Sequence, residues 1–161
     1  MCEALIEARK AFLSGEVPVG AVLVFEEKII ARAHNLVELH KDATQHAELL
    51  CLKKAFALQG DWRLQEMSMY CTLEPCSMCA GAMISSRLKE LVWAAPDLRQ
   101  GAHGSWVNLL DTPHPIHNIR VHSGILKEEA GALMTQFFRN RRKERKRYIP
   151  DPVERHPKAN R

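Results

Sequence analysis

The chain has 161 residues, 46% of them hydrophobic and 26% charged, enough apolar material for one domain with a sizeable core. No apolar run approaches the ~18 residues of a membrane span, and the first residues lack the basic start and apolar stretch of a secretory signal. A soluble, cytoplasmic protein is therefore expected, and membrane transport and secreted disulfide scaffolds are set aside. Five cysteines, two of them a close pair, point to metal or redox chemistry with reduced thiols rather than to a disulfide framework. The net charge of +4 is unevenly spread, because residues 139–161 hold 10 of the 23 Lys and Arg but only 3 of the 19 Asp and Glu. A mildly acidic body with a strongly basic end implies a polyanionic partner, nucleic acid first and an anionic membrane surface second, unless the tail is only a solvated helix end.

In chain order, Leu5, Ala8 and Phe12 recur at helical spacing and stop at Ser14 and Gly15, which predicts a short amphipathic helix. Residues 17–25 are nearly continuous in apolar side chains and read as a strand covered on both faces. A turn over 26–28 leads to a second strand through Ile29, Ile30 and Ala33, making a hairpin. The polar stretch 35–44 reads as irregular. Residues 45–58 carry Leu49, Leu52, Ala55 and Phe56 at helical intervals, with Thr44 as the expected N-cap and Gly60 as the stop. Met67, Met69, Cys71 and Leu73 alternate with polar residues, the period of a half-buried strand. A helix over 76–86 and a strand at 91–93 follow, so strands alternate with helices as in α/β folds. The Gly- and Pro-punctuated connection 96–115 is expected to hold a short helix at 106–110, and 119–122 an edge strand. A last helix over about 126–147 places Leu126, Ala130, Leu133 and Phe137 on one stripe and runs into the basic segment. Residues 1–147 make one domain on this reading, and the Pro-rich, charged 148–161 read as a disordered tail.

The strongest chemical signal is His46-Ala47-Glu48 at the start of one predicted helix, followed 30 residues later by Pro75-Cys76-Ser77-Met78-Cys79 at the start of another. Cys76 and Cys79, three apart, share a helix face, and His46 from a separate element completes three ligands of a tetrahedral site whose fourth position is left for water. Zinc suits one nitrogen and two sulfurs and brings water to a pKa of roughly 7. Glu48 stands about 200° around the helix from His46, so both can serve one site only if it lies beyond the helix end. There Glu48 can accept a proton from water, deliver it to a ring nitrogen and protonate a departing amine. Zinc with a proton-shuttling carboxylate defines hydrolytic deamination. A structural zinc site would leave Glu48 without a role, and the pair His40 and Asp42 falls in a polar stretch without periodicity. Cys71 and Cys51 read as core residues and Asn35 reads equally as a turn residue.

From Glu16 to about Lys146 the sequence resembles the bacterial-type tRNA adenosine deaminases. The segments that carry the resemblance are Glu16-Val17-Pro18-Val19-Gly20-Ala21-Val22, Thr44-Gln45-His46-Ala47-Glu48, Thr72-Leu73-Glu74-Pro75-Cys76-Ser77-Met78-Cys79-Ala80-Gly81-Ala82-Met83, and Gly124-Ile125-Leu126 leading to Phe137-Phe138-Arg139. HxE with PCxxC marks the deaminase superfamily, and the Phe-Phe-Arg helix with basic residues after it points to the tRNA branch. The resemblance implies a three-layer α/β/α fold around a five-stranded mixed sheet, a homodimer, and conversion of the wobble adenosine in a tRNA anticodon stem-loop to inosine with release of ammonia. It implies one Zn2+ held by His46, Cys76 and Cys79, and Glu48 as the catalytic proton shuttle. It further implies substrate contacts from Asn35, Val19, Ala47 and Phe138, with Arg139 and Arg141 facing RNA. The chain departs from the family pattern at Gln45 and at Ile116-His117-Asn118. Two other readings stand beside this one: a deaminase of a free base such as guanine or cytosine, and a non-catalytic zinc and RNA binding module.

Overall fold

The computed structural model describes residues 1–147, so the expected tail at 148–161 lies outside the described residues. In order the elements are α1 (Cys2–Leu13), β1 (Gly20–Phe25), β2 (Lys28–His34), α2 (Val37–His40), α3 (Ala47–Gln59), β3 (Ser68–Leu73), α4 (Ser77–Ser85), β4 (Glu90–Ala95), β5 (Arg120–Ser123) and α5 (Lys127–Arg147). The strands form one mixed sheet in the order β2-β1-β3-β4-β5. β1 is antiparallel to β2 and β3, while β3, β4 and β5 run parallel. Helices α3 and α4 pack together on one side, and α1 and α5 on the other, which gives the expected three layers.

Two apolar clusters follow from this layering. The larger joins Leu23, Leu52, Met69, Met83 and Leu91, and the smaller joins Leu5, Ala94, Ala95 and Ala130 under α1 and α5. Full burial of a Leu or Met side chain contributes about 1.5–3 kcal/mol, so the larger cluster dominates the stability of the sheet. Phe137 on α5 is buried against Phe12 of α1, ring centroids 5.8 Å apart, as the apolar stripe of the last helix requires.

Several local expectations are corrected. The first strand begins at Gly20 rather than 17, because Pro18 has no N–H to give a ladder and Val19 N–H turns back to Val17 O at 2.7 Å. The hairpin turn is shorter than expected, with Glu26 and Glu27 alone in the loop at φ 45° and 61°. Within 35–44, read as irregular, the four-residue α2 forms. Thr44 does not cap α3: its hydroxyl and backbone N–H both bond Asp42 Oδ1, and His46 occupies the cap position with extended backbone, φ −68° and ψ 147°. No helix forms at 106–110, where Trp106 and Val107 N–H both reach Gly101 O and Leu109 N–H reaches Ala102 O. Those N–H groups are pulled into a folded loop instead of a helical ladder. The edge strand comes as expected, pairing only with β4.

The topology brings the chemistry to one end. Parallel β3 and β4 finish there at Leu73 and Ala95, and antiparallel β1 starts there beside the end of β2. The pairing Gly20↔His34 leaves Val19 and Asn35 adjacent, with Asn35 N–H donating to Val19 O at 3.0 Å. Sites of open α/β sheets lie beyond the carboxyl ends of their parallel strands, and this one follows that rule.

Candidate active site

His46 and Cys76 are the N-cap residues of α3 and α4, and Cys79 lies in the first turn of α4. The N-terminal ends of both helices therefore point at the same place, with unpaired N–H groups and positive dipole ends that favour thiolates. His46 Nδ1 lies 3.5 Å from Cys76 Sγ and 3.6 Å from Cys79 Sγ. Tetrahedral zinc with bonds of about 2.0–2.1 Å to nitrogen and about 2.3 Å to sulfur requires nitrogen–sulfur separations of roughly 3.5–3.6 Å. The three donors therefore fit the ion in spacing as well as in type, and among the described residues they form the one cluster of three or more such groups.

The charge state agrees with a ligand set. Cys76 is drawn down to about 4, first by the hydrogen bond from Cys79 and then, against the effect of burial, by His46. The same bond pushes the Cys79 thiol upward. His46 is raised, chiefly by its hydrogen bond to Cys76. Glu48, in the first turn of α3 and 3% exposed, is pushed up by burial, opposed by its own backbone N–H and by His46. A carboxyl raised in this way holds a proton near neutral pH better than an ordinary glutamate, which suits proton transfer.

These groups open into a cavity of about 950 Å³ lined by Val19, Asn35, His46, Glu48, Cys76 and Phe138 among others. Ala47 is fully buried behind the site, and Arg139 and Arg141 sit on exposed faces of α5 away from the cavity wall, Arg141 within 3.6 Å of Glu144. Lys127, Gly131, Met134, Thr135, Phe138 and Arg142 form the α5 wall, of which sequence reading named Phe138 and missed the others. Their spacing of three or four was a readable signal, a second stripe beside that of Ala130 and Phe137.

The rim opposite α5 is the loop after β4, with Asp97 to Gln100 lining the cavity. It is fastened by Glu74, 1% exposed, whose carboxylate accepts the backbone N–H groups of Asp97 (3.1 Å), His103 (2.8 Å) and Ser105 (3.2 Å) and the Ser105 hydroxyl. Gly101 packs directly on that carboxylate, where a Cβ would collide with it. Burial raises the Glu74 carboxyl, but the four donors together outweigh it and hold it below the usual range.

Other histidines have structural partners: His34 bonds Glu7, His103 bonds Asp111, His117 bonds Leu88 O and His122 bonds Glu90. Cys51 and Cys71 are buried, with burial pushing Cys51 up to about 12 and Cys71 well upward, so both are inert core thiols. All five cysteines are free of disulfides.

A mixed five-stranded sheet with a nitrogen and sulfur ligand set at two helix N-termini and a buried glutamate beside it defines a deaminase. Residues 1–142 match the model of the MafB19-like deaminase family. The tRNA-specific adenosine deaminase of Bacillus subtilis (strain 168) is 47% identical over 146 residues, 91% of each chain. That of Aquifex aeolicus (strain VF5) is 43% identical, over 86% of this chain and 91% of its own. A solved structure from work on A-to-I editing by tRNA deaminases at the wobble position of transfer RNA matches with a TM-score of 0.79 at 39% identity, covering 83% of this chain and 96% of the other. Guanine deaminase from Nitrosomonas europaea matches with a TM-score of 0.68 at 25% identity, covering 83% of this chain and 80% of the other. The chain belongs to the tRNA-specific adenosine deaminases within this deaminase family. Among the described residues no helix is long and apolar enough to cross a membrane.

Proposed function

We infer that the protein hydrolytically deaminates the wobble adenosine of a tRNA anticodon stem-loop to inosine, releasing ammonia. The observation that carries this is the near-half identity to a tRNA-specific adenosine deaminase along nearly all of both chains, with a deaminase ligand set and Glu48 facing one cavity. His46, Cys76 and Cys79 would hold zinc, which when bound supplies the Lewis acidity that brings water to a pKa of roughly 7. Glu48 is the catalytic residue. It takes one proton as the water oxygen bonds to the ring carbon bearing the amine and gives it to the adjacent ring nitrogen, then takes the proton of the new hydroxyl and delivers it to the amine as the carbon–nitrogen bond breaks and the carbonyl forms. One water is consumed and one ammonia released, and no oxidant is required.

Val19, Asn35 and Phe138 line the base pocket and Ala47 shapes it from behind. A base in a loop can splay into such a pocket without breaking a duplex. Arg139 and Arg141, with Arg142 on the cavity wall, meet the phosphates. Residues 1–147 act as one deaminase domain, two copies pair as a homodimer, and the tRNA substrate sets the cytoplasm as the place of work. The test is incubation of purified protein with an anticodon stem-loop across a salt series. Inosine formation with binding that weakens steeply as salt rises supports the reading, whereas turnover of free guanine with indifference to tRNA would defeat it.

A further inference from the structure

Glu16, between α1 and β1, is a second buried carboxylate outside the reacting groups, 1% exposed. It accepts three N–H groups: Leu39 N on Oε1 at 2.7 Å, Glu38 N on Oε2 at 3.2 Å, and Asn35 Nδ2 on Oε2 at 3.0 Å. The first two belong to the opening turn of α2, whose N–H groups have no partners within the helix. They fix Glu16 from the backbone side. Its own N–H is tied to Ala11 O at 2.9 Å, which holds its backbone in place.

An ionised carboxylate accepts hydrogen bonds and donates none. The Asn35 side chain must therefore direct its amino group toward Glu16, which settles an orientation that the shape of an amide alone leaves ambiguous. Asn35 is 6% exposed and on the cavity wall, and among the described residues no donor reaches its Oδ1. We propose that Glu16 is a positioning residue that locks the Asn35 amide so that its carbonyl oxygen serves the cavity as a hydrogen-bond acceptor, selecting a nucleoside that offers an N–H or O–H donor there. This rests on the reading of the cavity as the base pocket. Locking the amide in advance spares the substrate the cost of orienting it, and a substrate without the donor leaves a buried acceptor unpaired.

A charge-conserving exchange separates this from a purely structural role. Asn35→Asp alone sets two carboxylates at the present 3.0 Å separation, whose repulsion turns the new group away. Adding Glu16→Gln restores a donor and acceptor pair with the original net charge, the introduced amine now on the Glu16 side and a carboxylate oxygen again offered to the cavity. Its Oε1 still serves Leu39, and Glu38, being exposed, finds water for its N–H.

The experiment measures kcat and KM for an anticodon stem-loop in wild type, Asn35→Asp, Glu16→Gln and the double variant, with zinc content and thermal midpoint of each. Asn35→Asp is expected to lose about 100-fold in kcat/KM, and the double variant to regain at least about 10-fold of that loss. Glu16→Gln alone, which keeps the shape of the side chain, is expected to raise KM about 10-fold more than it changes kcat. A folded, zinc-loaded double variant no better than Asn35→Asp would overturn the proposal, as would wild-type kinetics in Glu16→Gln. Unchanged kinetics in Asn35→Asp would remove that residue from the base pocket and the proposal with it. Inosine formation by the wild type, run alongside, reports separately on the function itself.

Discussion

Glu48 stands at the second position of α3 and lines the same cavity as the cap residue His46. Glu48→Ala is expected to cut inosine formation by about 100- to 10,000-fold while zinc content and tRNA binding stay at wild-type level, because only the proton shuttle is removed. Undiminished formation would refute its role. Glu74 makes a different prediction. Its folded carboxyl is held low, so the stability it contributes is complete above the ordinary glutamate value of about 4.3 and is lost as pH falls through the lowered value. Thermal midpoints measured from about pH 6 to about pH 3 should fall less steeply in Glu74→Gln than in wild type, from a lower start at neutral pH. Parallel curves would mean that the loop does not depend on this carboxylate.

The cluster of His46, Cys76 and Cys79 and the place of Glu48 beside it were legible in the sequence because that chemistry demands fixed spacings. Glu16 and Glu74 were not. Both stand in segments that carry the family resemblance, yet a lone buried carboxylate has no period or motif, and its role comes from backbone N–H groups that only the fold brings to it. Gly101 tells the same story, since nothing in the local sequence announces that a carboxylate 27 positions away fills the space of its absent side chain.

At the level of elements, periodicity found α1, α3, β3 and the long α5 with small errors at their ends. The errors share a cause: particular hydrogen-bond partners, some near in sequence and some far, outweighed generic preference. Thr44 is a good cap residue captured by Asp42, and α2 forms because Glu16 receives its first N–H groups. α5 serves two masters, with Ala130 and Phe137 on the core and Met134, Phe138 and Arg142 on the cavity. The two faces separate experimentally. Phe137→Ala should cost about 3 kcal/mol of stability through the lost contact with Phe12. Arg142→Ala should leave the thermal midpoint in place, weaken stem-loop binding, and reduce the slope of log affinity against log salt by about 1. An unchanged slope would place that arginine off the RNA path.

Across the whole molecule, the alternation of strands and helices gave the α/β class, and the three layers and the mixed sheet followed from the family resemblance. Strand order was not readable from periodicity, because nothing local says that β1 inserts between β2 and β3. The hairpin sets Asn35 beside Val19, and the insertion of β1 next to β3 brings both to the cavity that His46 and Cys76 line. A site shared by α3 and α4, from opposite sides of β3 in sequence, also means that a bound ion would tie two elements together. Zinc at 100 times its dissociation constant would add about 2.7 kcal/mol, so chelation should lower the thermal midpoint by roughly 5–10 °C together with loss of activity.

The most direct measurement is sequencing of tRNA for inosine after incubation with the purified, zinc-loaded protein. Inosine at the wobble position with wild type, and none above background with Glu48→Ala, is the expected result. A wobble adenosine left intact by active, metal-loaded protein that deaminates free guanine instead would contradict it.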